Sequence, residues 1–353
     1  MKLYPLFFTP LYKEKIWGGQ QIKEHFNRRI ESDHIGESWE IAAHPHGTNT
    51  VNNGHLKGEK LTDLIKKFGE KILGNKVAYQ PDNFPLLIKF LDIDRKISVQ
   101  VHPDNAYARR ADQEDGKTEM WYIIKAKAGA RLNYGLLPGT TREELAQAVA
   151  ENRVEDYLNY VEVKSGDTFY IPAGLVHTLD PGILLAEIQQ NSDATYRLYD
   201  WNRTDQNGNP RPLHIEKALD VINFEKGIIP QKEQTLQLKE PNYTRSILAA
   251  CPYFVTEKIQ LKNEYIINPA GERFYILIFL SGQGKITDGD ETYYPQPGNT
   301  VLLPAELDQL VISGNTEFLI SYLPSGKEQF VSSLQGLGFT QEQISDLNGV
   351  KDF

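Results

Sequence analysis

A glycine–proline frame that occurs twice constrains the fold of this 353-residue chain more than any other feature of its sequence. The first copy consists of Gly166, five residues, Pro172-Ala173-Gly174, two residues and His177. The second copy begins 132 residues later (298 − 166) and consists of Gly298, Pro304-Ala305-Glu306 and Gln309 at matching positions. Glycine turns the chain into a strand and proline ends that strand. The repeat therefore predicts two related β units, in which His177 and Gln309 point inward.

Short apolar segments with strand character separate turn residues along most of the chain. The predicted strands are Leu86 to Leu91, Ile97 to Val101, Trp121 to Lys125, Thr168 to Ile171, Ile183 to Ile188, Phe274 to Leu280, Thr300 to Leu303 and Phe318 to Leu323. Many short strands with turns between them are typical of sandwiches and barrels, so we expect a mainly β fold.

Helical periodicity is confined to a few stretches. One apolar stripe with helical spacing comprises Leu61, Leu64, Ile65, Phe68 and Ile72, and Gly74 closes it. A second helix is predicted after Thr140, where Thr140 with Glu143 and Thr141 with Glu144 both have the spacing of a capping box. A third is predicted over Ile215 to Ile222. The first two stretches, at about 58–74 and 140–158, are expected to be helical insertions in and around the first β unit.

The length of the chain suits about two domains at roughly 100 to 200 residues each. We expect a first domain over residues 1–235, with both insertions, and a second over 236–353 that ends in a C-terminal segment. Because Glu306 and Gln309 stand where the first copy has glycine and histidine, the second domain is expected to bind no metal and to be structural.

Charge and cysteine content exclude some classes of function. Lys and Arg (38) against Asp and Glu (47) give a net charge of −9, which disfavours a nucleic-acid-binding protein. An anionic ligand must therefore meet a local cluster of cations. The single cysteine, Cys251, excludes an internal disulfide and is more typical of a buried apolar residue, which suits a reducing cytoplasm. The N-terminus does not resemble a signal peptide, and no apolar run is long enough to span a bilayer, so we expect no membrane partner.

Four residues of the first copy form a candidate metal site: Gln100, His102, Glu119 and His177. Gln100 and His102 are two apart on an alternating strand and so share one face. Two imidazoles, a carboxylate and an amide oxygen suit Zn²⁺, although Fe, Mn and Co accept the same ligands. A lone inward histidine is more often a core residue, but the combination with the repeated turn favours metal binding.

The element Gly-x5-Pro-x-Gly-x-x-His resembles the second signature of cupin barrels. Other segments of the chain are similar to the type I mannose-6-phosphate isomerase family, in the short form common in Gram-positive bacteria. The segments that carry this resemblance are Tyr12 to Gly19, Gly36 to Glu40, Phe84 to Lys89, Ser98 to Pro103, Lys117 to Glu119, Tyr170 to His177 and Gln190 to Arg197. It implies two cupin (jelly-roll) units, with the metal in the first.

The resemblance also implies roles for individual residues. The four candidate ligands would hold one Zn²⁺ per chain, and Arg197 would be the active-site arginine. Glu187 and Asp193 match acidic residues proposed in proton transfer. By alternation Glu187 shares its strand face with Leu185 and Gln189, which suggests apolar surroundings, although a solvated glutamate at the end of the strand is the alternative. Asp193 would alternatively orient Arg197 or a water molecule. Longer members have His-Lys-Pro-Glu where this chain has Gly116-Lys117-Thr118-Glu119, so a histidine and a proline are absent here.

The implied reaction is the reversible isomerisation of D-mannose 6-phosphate and D-fructose 6-phosphate through an enediol. Lys117 would belong to the catalytic groups together with Arg197, Glu187 and Asp193. Phosphate binding would involve Lys117 and Arg197 first, then Arg203 and Lys89, although a single lysine in an apolar strand is usually an edge or snorkelling residue.

Three other functions stay open at this point: a cupin isomerase for a related sugar phosphate, a non-catalytic sugar-binding cupin, and an Fe(II) cupin dioxygenase. The chain is expected to act as a monomer or homodimer.

Overall fold

The computed structural model describes residues 2–76, 83–204, 207–224 and 235–353. Its strands are β1 (Leu6–Thr9), β2 (Leu11–Gly19), β3 (Ile35–Ile41), β4 (Ala43–His44), β5 (Gly47–Thr48), β6 (Thr50–Val51), β7 (Leu86–Ile93), β8 (Val99–Val101), β9 (Glu119–Ala126), β10 (Arg131–Leu136), β11 (Leu158–Glu162), β12 (Thr168–Ile171), β13 (His177–Leu179), β14 (Ile183–Gln190), β15 (Tyr196–Tyr199), β16 (Leu236–Lys239), β17 (Tyr243–Ala250), β18 (Val255–Leu261), β19 (Glu264–Ile267), β20 (Tyr275–Asp288), β21 (Glu291–Tyr293), β22 (Thr300–Leu303) and β23 (Leu310–Tyr322). Its helices are α1 (Gln21–His25), α2 (Leu61–Phe68), α3 (Glu70–Leu73), α4 (Asn105–Ala111), α5 (Arg142–Ala150), α6 (Ile215–Val221), α7 (Lys327–Gly336) and α8 (Gln341–Asp346), with short 3₁₀ turns at Gly54–Leu56, Val154–Tyr157 and Val350–Asp352.

The chain forms two compact units, each drawn from several segments. The central unit contains Tyr12–Ser38 and Lys89–Glu233, and the C-terminal unit contains Met1–Leu11, Trp39–Ile88 and Gln234–Phe353. The predicted mainly β fold is confirmed, and its sheets are antiparallel. The predicted domain bounds of 1–235 and 236–353 stay a prediction. None of the described helices has the length and apolar character needed to cross a membrane.

The central unit is a sandwich of two sheets. One sheet has the strand order β11-β10-β13-β8-β15, and the other has the order β12-β9-β14-β7-β3-β2. Side chains of both sheets, such as Leu132 and Leu179 from the first and Trp121 and Phe169 from the second, pack in one buried core. The other face of the first sheet packs on α5 and α6, through residues such as Leu145 and Leu219. Functional side chains that point between the sheets are therefore shielded from water.

The C-terminal unit is built on a ten-stranded sheet with the order β16-β17-β18-β23-β20-β22-β1-β6, to which β19 and β21 add as partners of β23 and β20. Its helices α7 and α8 supply Phe330, Leu334 and Ile344 to a core that includes Ile247 and Val255. The helices α2 and α3 belong to this unit, and their predicted continuous stripe is interrupted at Gly69, which has a φ of 43°.

The two copies of the repeated frame begin alike, with a glycine of positive φ that precedes a strand. Gly166 and Gly298 have φ values of 91° and 85° and precede β12 and β22. The turns then differ. Gly174 has a φ of 86°, whereas Glu306 lacks a positive φ and its carboxylate pairs with Lys71. The prediction that Gln309 points inward is wrong, because its side chain is exposed.

Candidate functional site

Three titratable side chains meet between the two sheets of the central unit. His177 begins β13, His102 follows β8 directly, and Glu119 begins β9 of the facing sheet. Nε2 of His102 lies 3.5 Å from one carboxylate oxygen of Glu119, and Nε2 of His177 lies 3.7 Å from the other. All three residues are buried, and their ligand atoms lie within 4.8 Å of one another. This spacing is suited to a single metal ion.

Hydrogen bonds to backbone carbonyls fix the tautomer of both histidines. Nδ1 of His102 lies 2.8 Å from the carbonyl oxygen of Ala194, and Nδ1 of His177 lies 2.9 Å from that of Leu175. A carbonyl only accepts, so each Nδ1 carries the proton and each Nε2 keeps its lone pair. Both lone pairs belong to the nitrogens nearest Glu119.

Burial also keeps the two imidazoles neutral. Together with the charge on Lys117, burial lowers the pKa of His102 to about 4. Burial likewise lowers the pKa of His177. Neutral imidazole is the form that binds a metal ion, so both residues have the required protonation state at neutral pH.

Glu119 is ionised although it is buried. Burial raises the pKa of its carboxyl group, but Lys117, with Nζ at 3.0 Å, and His102 outweigh this effect and hold the pKa well below its usual range. Oε1 of Glu119 and Nε2 of His102 have no hydrogen-bond partner, and Oε2 of Glu119 has only the ion pair with Lys117. Buried polar atoms without partners are costly, so this Oε1 and this Nε2 fit a divalent ion that would satisfy them.

Gln100 is the fourth predicted ligand and lies beside the cluster. It pairs with His177 across β8 and β13, and with Arg197 across β8 and β15. Its Nε2 is 3.2 Å from Nε2 of His177, while its Oε1 accepts a hydrogen bond of 3.1 Å from Ser98. Binding a metal through the amide oxygen requires the other orientation of this amide, which a rotation of the terminal group provides.

A cavity of about 250 Å³ in the central unit reaches this cluster at Gln100 and Lys117. Its lining is strongly polar and carries cations as well as carboxylates. The lining residues are Lys15, Trp17, Glu37, Lys89, Leu91, Ile97, Ser98, Gln100, Lys117, Glu187, Asp193, Thr195, Arg197 and Arg211. Every predicted catalytic residue lies on this cavity, and so do three of the four predicted substrate-binding residues.

Glu187 lies among charged groups, and the prediction of apolar surroundings is wrong. On β14 it is paired with Trp121 of β9, whose indole Nε1 donates a hydrogen bond of 3.1 Å to Oε2. The other oxygen, Oε1, accepts no hydrogen bond and lies 3.3 Å from Nζ of Lys89 and 3.8 Å from Nζ of Lys117. A hydrogen bond thus fixes one oxygen, and ion pairs with two lysines hold the other.

The two lysines are buried structural cations of the cavity. Lys89 is 3% exposed on β7, which lies between β14 and β3, so the alternative of an edge or snorkelling residue is wrong. Burial lowers the pKa of Lys117, but Glu119 and Glu187 outweigh it and raise the pKa above its usual value. Both lysines are engaged with carboxylates.

The loop before Glu119 explains the two departures from the longer family pattern. A Cβ added to Gly116 would lie 2.4 Å from the backbone nitrogen of Asn105, so a histidine does not fit there. The backbone N–H of Thr118 donates to Oε1 of Gln190 at 2.9 Å, a bond that proline cannot make. Hydrogen bonding to α4 and β14 thus sets the geometry of this loop.

Arginine residues form the other side of the cavity. Arg197 donates from Nη1 to the carbonyl of Pro212 at 2.6 Å, and its Nε is buried without a partner. Burial and the nearby Arg211 lower the pKa of Arg197. Arg203 does not line the cavity, because it is bound to Asp200 and to the carbonyl of Lys96. The prediction that Arg203 binds substrate has no support in this geometry.

Sequence reasoning assigned no role to several groups of the cavity. Arg211 lines it and is held by Asp200 through Nε at 2.8 Å, but its loop carries no motif that could have identified it. Glu37 and Trp17 lie in segments that carried the family resemblance, which was the available signal. The contact of Trp121 with Glu187 depends on strand register, which the sequence does not give.

Two stretches of the chain match known protein families. Residues 6–120 match the family "Phosphomannose isomerase type I, catalytic domain", and residues 244–323 match "Mannose-6-phosphate isomerase, cupin domain". Mannose-6-phosphate isomerase of Streptococcus mutans is 38% identical, over 90% of this chain and 98% of that protein. Mannose-6-phosphate isomerase ManA of Bacillus subtilis is also 38% identical, over 92% of this chain and 100% of the relative.

Solved structures give the same result. The crystal structure of mannose 6-phosphate isomerase from Bacillus subtilis has a TM-score of 0.83 and 36% identity, and the match covers 90% of this chain and 99% of that one. A putative mannosephosphate isomerase from Archaeoglobus fulgidus has a TM-score of 0.68 at 23% identity, over 90% and 97% of the two chains, which supports the fold alone. The predicted cupin fold is confirmed.

Proposed function

The chain belongs to the type I mannose-6-phosphate isomerase family, and on that premise we propose that it interconverts mannose 6-phosphate and fructose 6-phosphate with one bound Zn²⁺ in the central unit. The observation that carries the proposal is the buried cluster of His102, His177 and Glu119, in which two neutral imidazoles face an ionised carboxylate, and Nε2 of His102 and Oε1 of Glu119 have no hydrogen-bond partner.

The residues that would hold the metal are these three and Gln100. Nitrogen and oxygen ligands without a thiolate suit Zn²⁺ and leave room for substrate oxygens. When bound, the ion supplies a Lewis acid that stabilises the negative charge developing on those oxygens, worth several kcal/mol. Lys117, with Nζ at 3.0 Å from Glu119, adds a fixed positive charge at the same place.

Proton transfer between C1 and C2 of the sugar requires a base beside the metal site. We assign this role to Glu187, because Trp121 fixes its Oε2 while its Oε1 makes no hydrogen bond. A base held in this way needs little reorganisation to reach the substrate carbon. Asp193 also lines the cavity and is the second candidate; its charge contributes to the raised pKa of Lys117. The base removes the proton from C2 of the aldose to give an enediol and returns it to C1, while the hydroxyl proton of O2 is transferred to O1.

The phosphate is assigned to the arginine side of the cavity. Arg197 has a buried Nε without a partner, and Arg211 stands beside it with its guanidinium oriented by Asp200. Arginine can present two N–H groups to one phosphate. Lys89 and Lys117 are engaged with carboxylates, so we assign to them the orientation of Glu187 and Glu119 rather than phosphate binding. Activity in the cytoplasm, as a monomer or homodimer, stays a prediction.

A coupled assay with mannose 6-phosphate tests the proposal. Activity should disappear on chelation and return with Zn²⁺, and His102→Ala should lower kcat by about 10³-fold if metal stabilisation is worth several kcal/mol. His34→Ala, which changes an exposed histidine of the same unit, is the matched control and should keep full activity. Full turnover by metal-free protein would refute the metal role.

Side-by-side assays separate the related functions. An isomerase for another sugar phosphate would prefer glucose 6-phosphate or an aldopentose phosphate over mannose 6-phosphate. A non-catalytic binder would retain sugar-phosphate affinity without turnover in the zinc-loaded protein.

A further inference from the structure

The C-terminal unit contains a second polar cavity, of about 300 Å³. Residues of β17, β18, β19, β20, β23 and α7 form it, together with the segments between β19 and β20 and between β23 and α7. The lining residues are Arg245, Glu257, Tyr265, Arg273, Tyr275, Ile320, Tyr322, Pro324, Ser325, Gln329, Phe330 and Ser333. The size lies at the lower end of the range for small-molecule sites, which is about 300 to 1,000 Å³.

A network of fixed charges lies at the base of this cavity. The buried carboxylate of Glu257 accepts two hydrogen bonds from Arg245, of 2.6 and 2.7 Å, and a third of 2.7 Å from the hydroxyl of Tyr322. Arg273 lies over the ring of Tyr322, at 5.3 Å from its centroid. The two arginines exceed the single carboxylate by one charge. The cavity is therefore cationic in a chain whose net charge is −9.

Each arginine keeps N–H groups that make no bond to the described protein. Arg245 uses Nε and Nη2 for Glu257, which leaves Nη1. Arg273 uses Nη1 for the carbonyl of Leu323 and Nη2 for the hydroxyl of Ser325, which leaves Nε. Because Arg273 is held from the protein side, it is already oriented for a ligand. An anion would meet preorganised donors rather than mobile surface side chains.

Two tyrosines add hydroxyl groups that the fold does not use. The rings of Tyr265 and Tyr275 pack edge-on against Phe318 and Tyr322, with centroids 6.2 and 5.3 Å apart, but neither hydroxyl bonds to any residue in the described part of the chain. Burial raises the pKa of both phenols, so they stay protonated at neutral pH. Partly buried hydroxyls without partners favour a ligand that can exchange hydrogen bonds with them.

We propose that this cavity is a second ligand site, which binds a small hydroxylated anion of the sugar-phosphate or sugar-acid class. The arginines bind the anionic group, and the tyrosine hydroxyls bind the hydroxyl groups of the ligand. The aromatic rings supply apolar surface for its C–H faces. The C-terminal unit, which the repeat alone predicts to be structural, thereby has a binding role of its own. This inference does not depend on the isomerase assignment.

Hydrogen–deuterium exchange of the full zinc-loaded chain tests the proposal, because it locates protection along the sequence. The probes are fructose 6-phosphate, gluconate, fructose and inorganic phosphate. We expect the first two to protect peptides that cover the start of β20 and residues 318–333. Protection by fructose equal to that by fructose 6-phosphate would refute the role of the arginines. If inorganic phosphate reached half-maximal protection at the same concentration as fructose 6-phosphate, the role of the tyrosine hydroxyls would be refuted.

Two variants tie any protection to the cavity itself. Arg273→Met should raise the concentration of fructose 6-phosphate that gives half-maximal protection of these peptides by about tenfold or more, because a charge-assisted hydrogen bond is lost. Tyr275→Phe should raise this midpoint concentration about 2- to 10-fold. Tyr294→Phe, which changes a tyrosine that is 69% exposed, is the matched control and should have no effect. Absent protection, or midpoints unchanged in both variants, would overturn the proposal. If Arg273→Met does not fold, Tyr275→Phe decides the question alone.

Discussion

Replacing Trp121 by phenylalanine tests whether Glu187 is the proton-transferring base. The indole Nε1 donates to Oε2 of Glu187 at 3.1 Å, and both residues are buried. Phenylalanine keeps an aromatic ring in the core but has no donor, so Oε2 loses the bond that holds it. The carboxylate is then free to turn towards Lys89, whose Nζ is 3.3 Å from Oε1.

The size of the effect follows from the type of bond. A hydrogen bond to a charged group contributes about 1.5 to 3 kcal/mol. If this energy keeps Oε1 aimed at the substrate in the transition state, its loss lowers kcat by about 10- to 160-fold, at 1.36 kcal/mol per tenfold change. Trp121 does not line the substrate cavity, so KM for mannose 6-phosphate should change little.

Steady-state kinetics with mannose 6-phosphate measure this split between kcat and KM. The ring of Trp121 also packs against His177, at 5.3 Å between centroids, so the zinc content of the variant must be measured as well. Trp39→Phe removes another buried indole and controls for loss of core packing. A folded, zinc-loaded Trp121→Phe protein with kcat within twofold of the parent would contradict the assignment of Glu187.

Three further changes probe other parts of the site. Thr118→Pro removes the N–H that binds Gln190 and should lower the free energy of unfolding by about 1 to 3 kcal/mol in urea titrations, whereas Thr118→Ala keeps this N–H and should cost less. Arg211→Met should raise KM about tenfold with little change in kcat, since a charged phosphate contact is lost, and Arg153→Met at the surface should change neither. Burial raises the pKa of Asp200, but its two arginine partners outweigh burial and lower the pKa below 3.8. These ion pairs therefore stabilise the fold fully above pH 3.8, and the stabilisation is lost as the pH falls through the lowered pKa. In profiles of unfolding free energy against pH, Asp200→Asn should abolish this pH-dependent loss.

Local chemistry in the sequence predicts part of the site well. Alternation along β8 places Gln100 and His102 on one face, and the structure brings both to the buried cluster. The capping-box spacing predicts the helix after Thr140, and Thr141 with Glu144 forms the box. Such features depend on a few neighbouring residues, which is why they can be read from one chain.

Features that depend on distant pairings were missed. Alternation gives the face of Glu187 but not the strands beside it, so neither Trp121 nor the contact with Lys89 could be predicted. The error at Gln309 has a local cause: Gly174 reaches a φ of 86° that turns the chain before His177, and Glu306 does not adopt this conformation. A copy of the frame that keeps the proline but lacks the second glycine therefore does not direct the side chain at the histidine position inward.

The close approach of Gly116 to Asn105 limits how loops can be exchanged between short and long members of this family. Position 116 has space for a hydrogen atom only, so importing the histidine of longer relatives requires moving the start of α4 in the same design. Point-by-point swaps across this segment should fail where exchange of the whole helix-and-loop block succeeds.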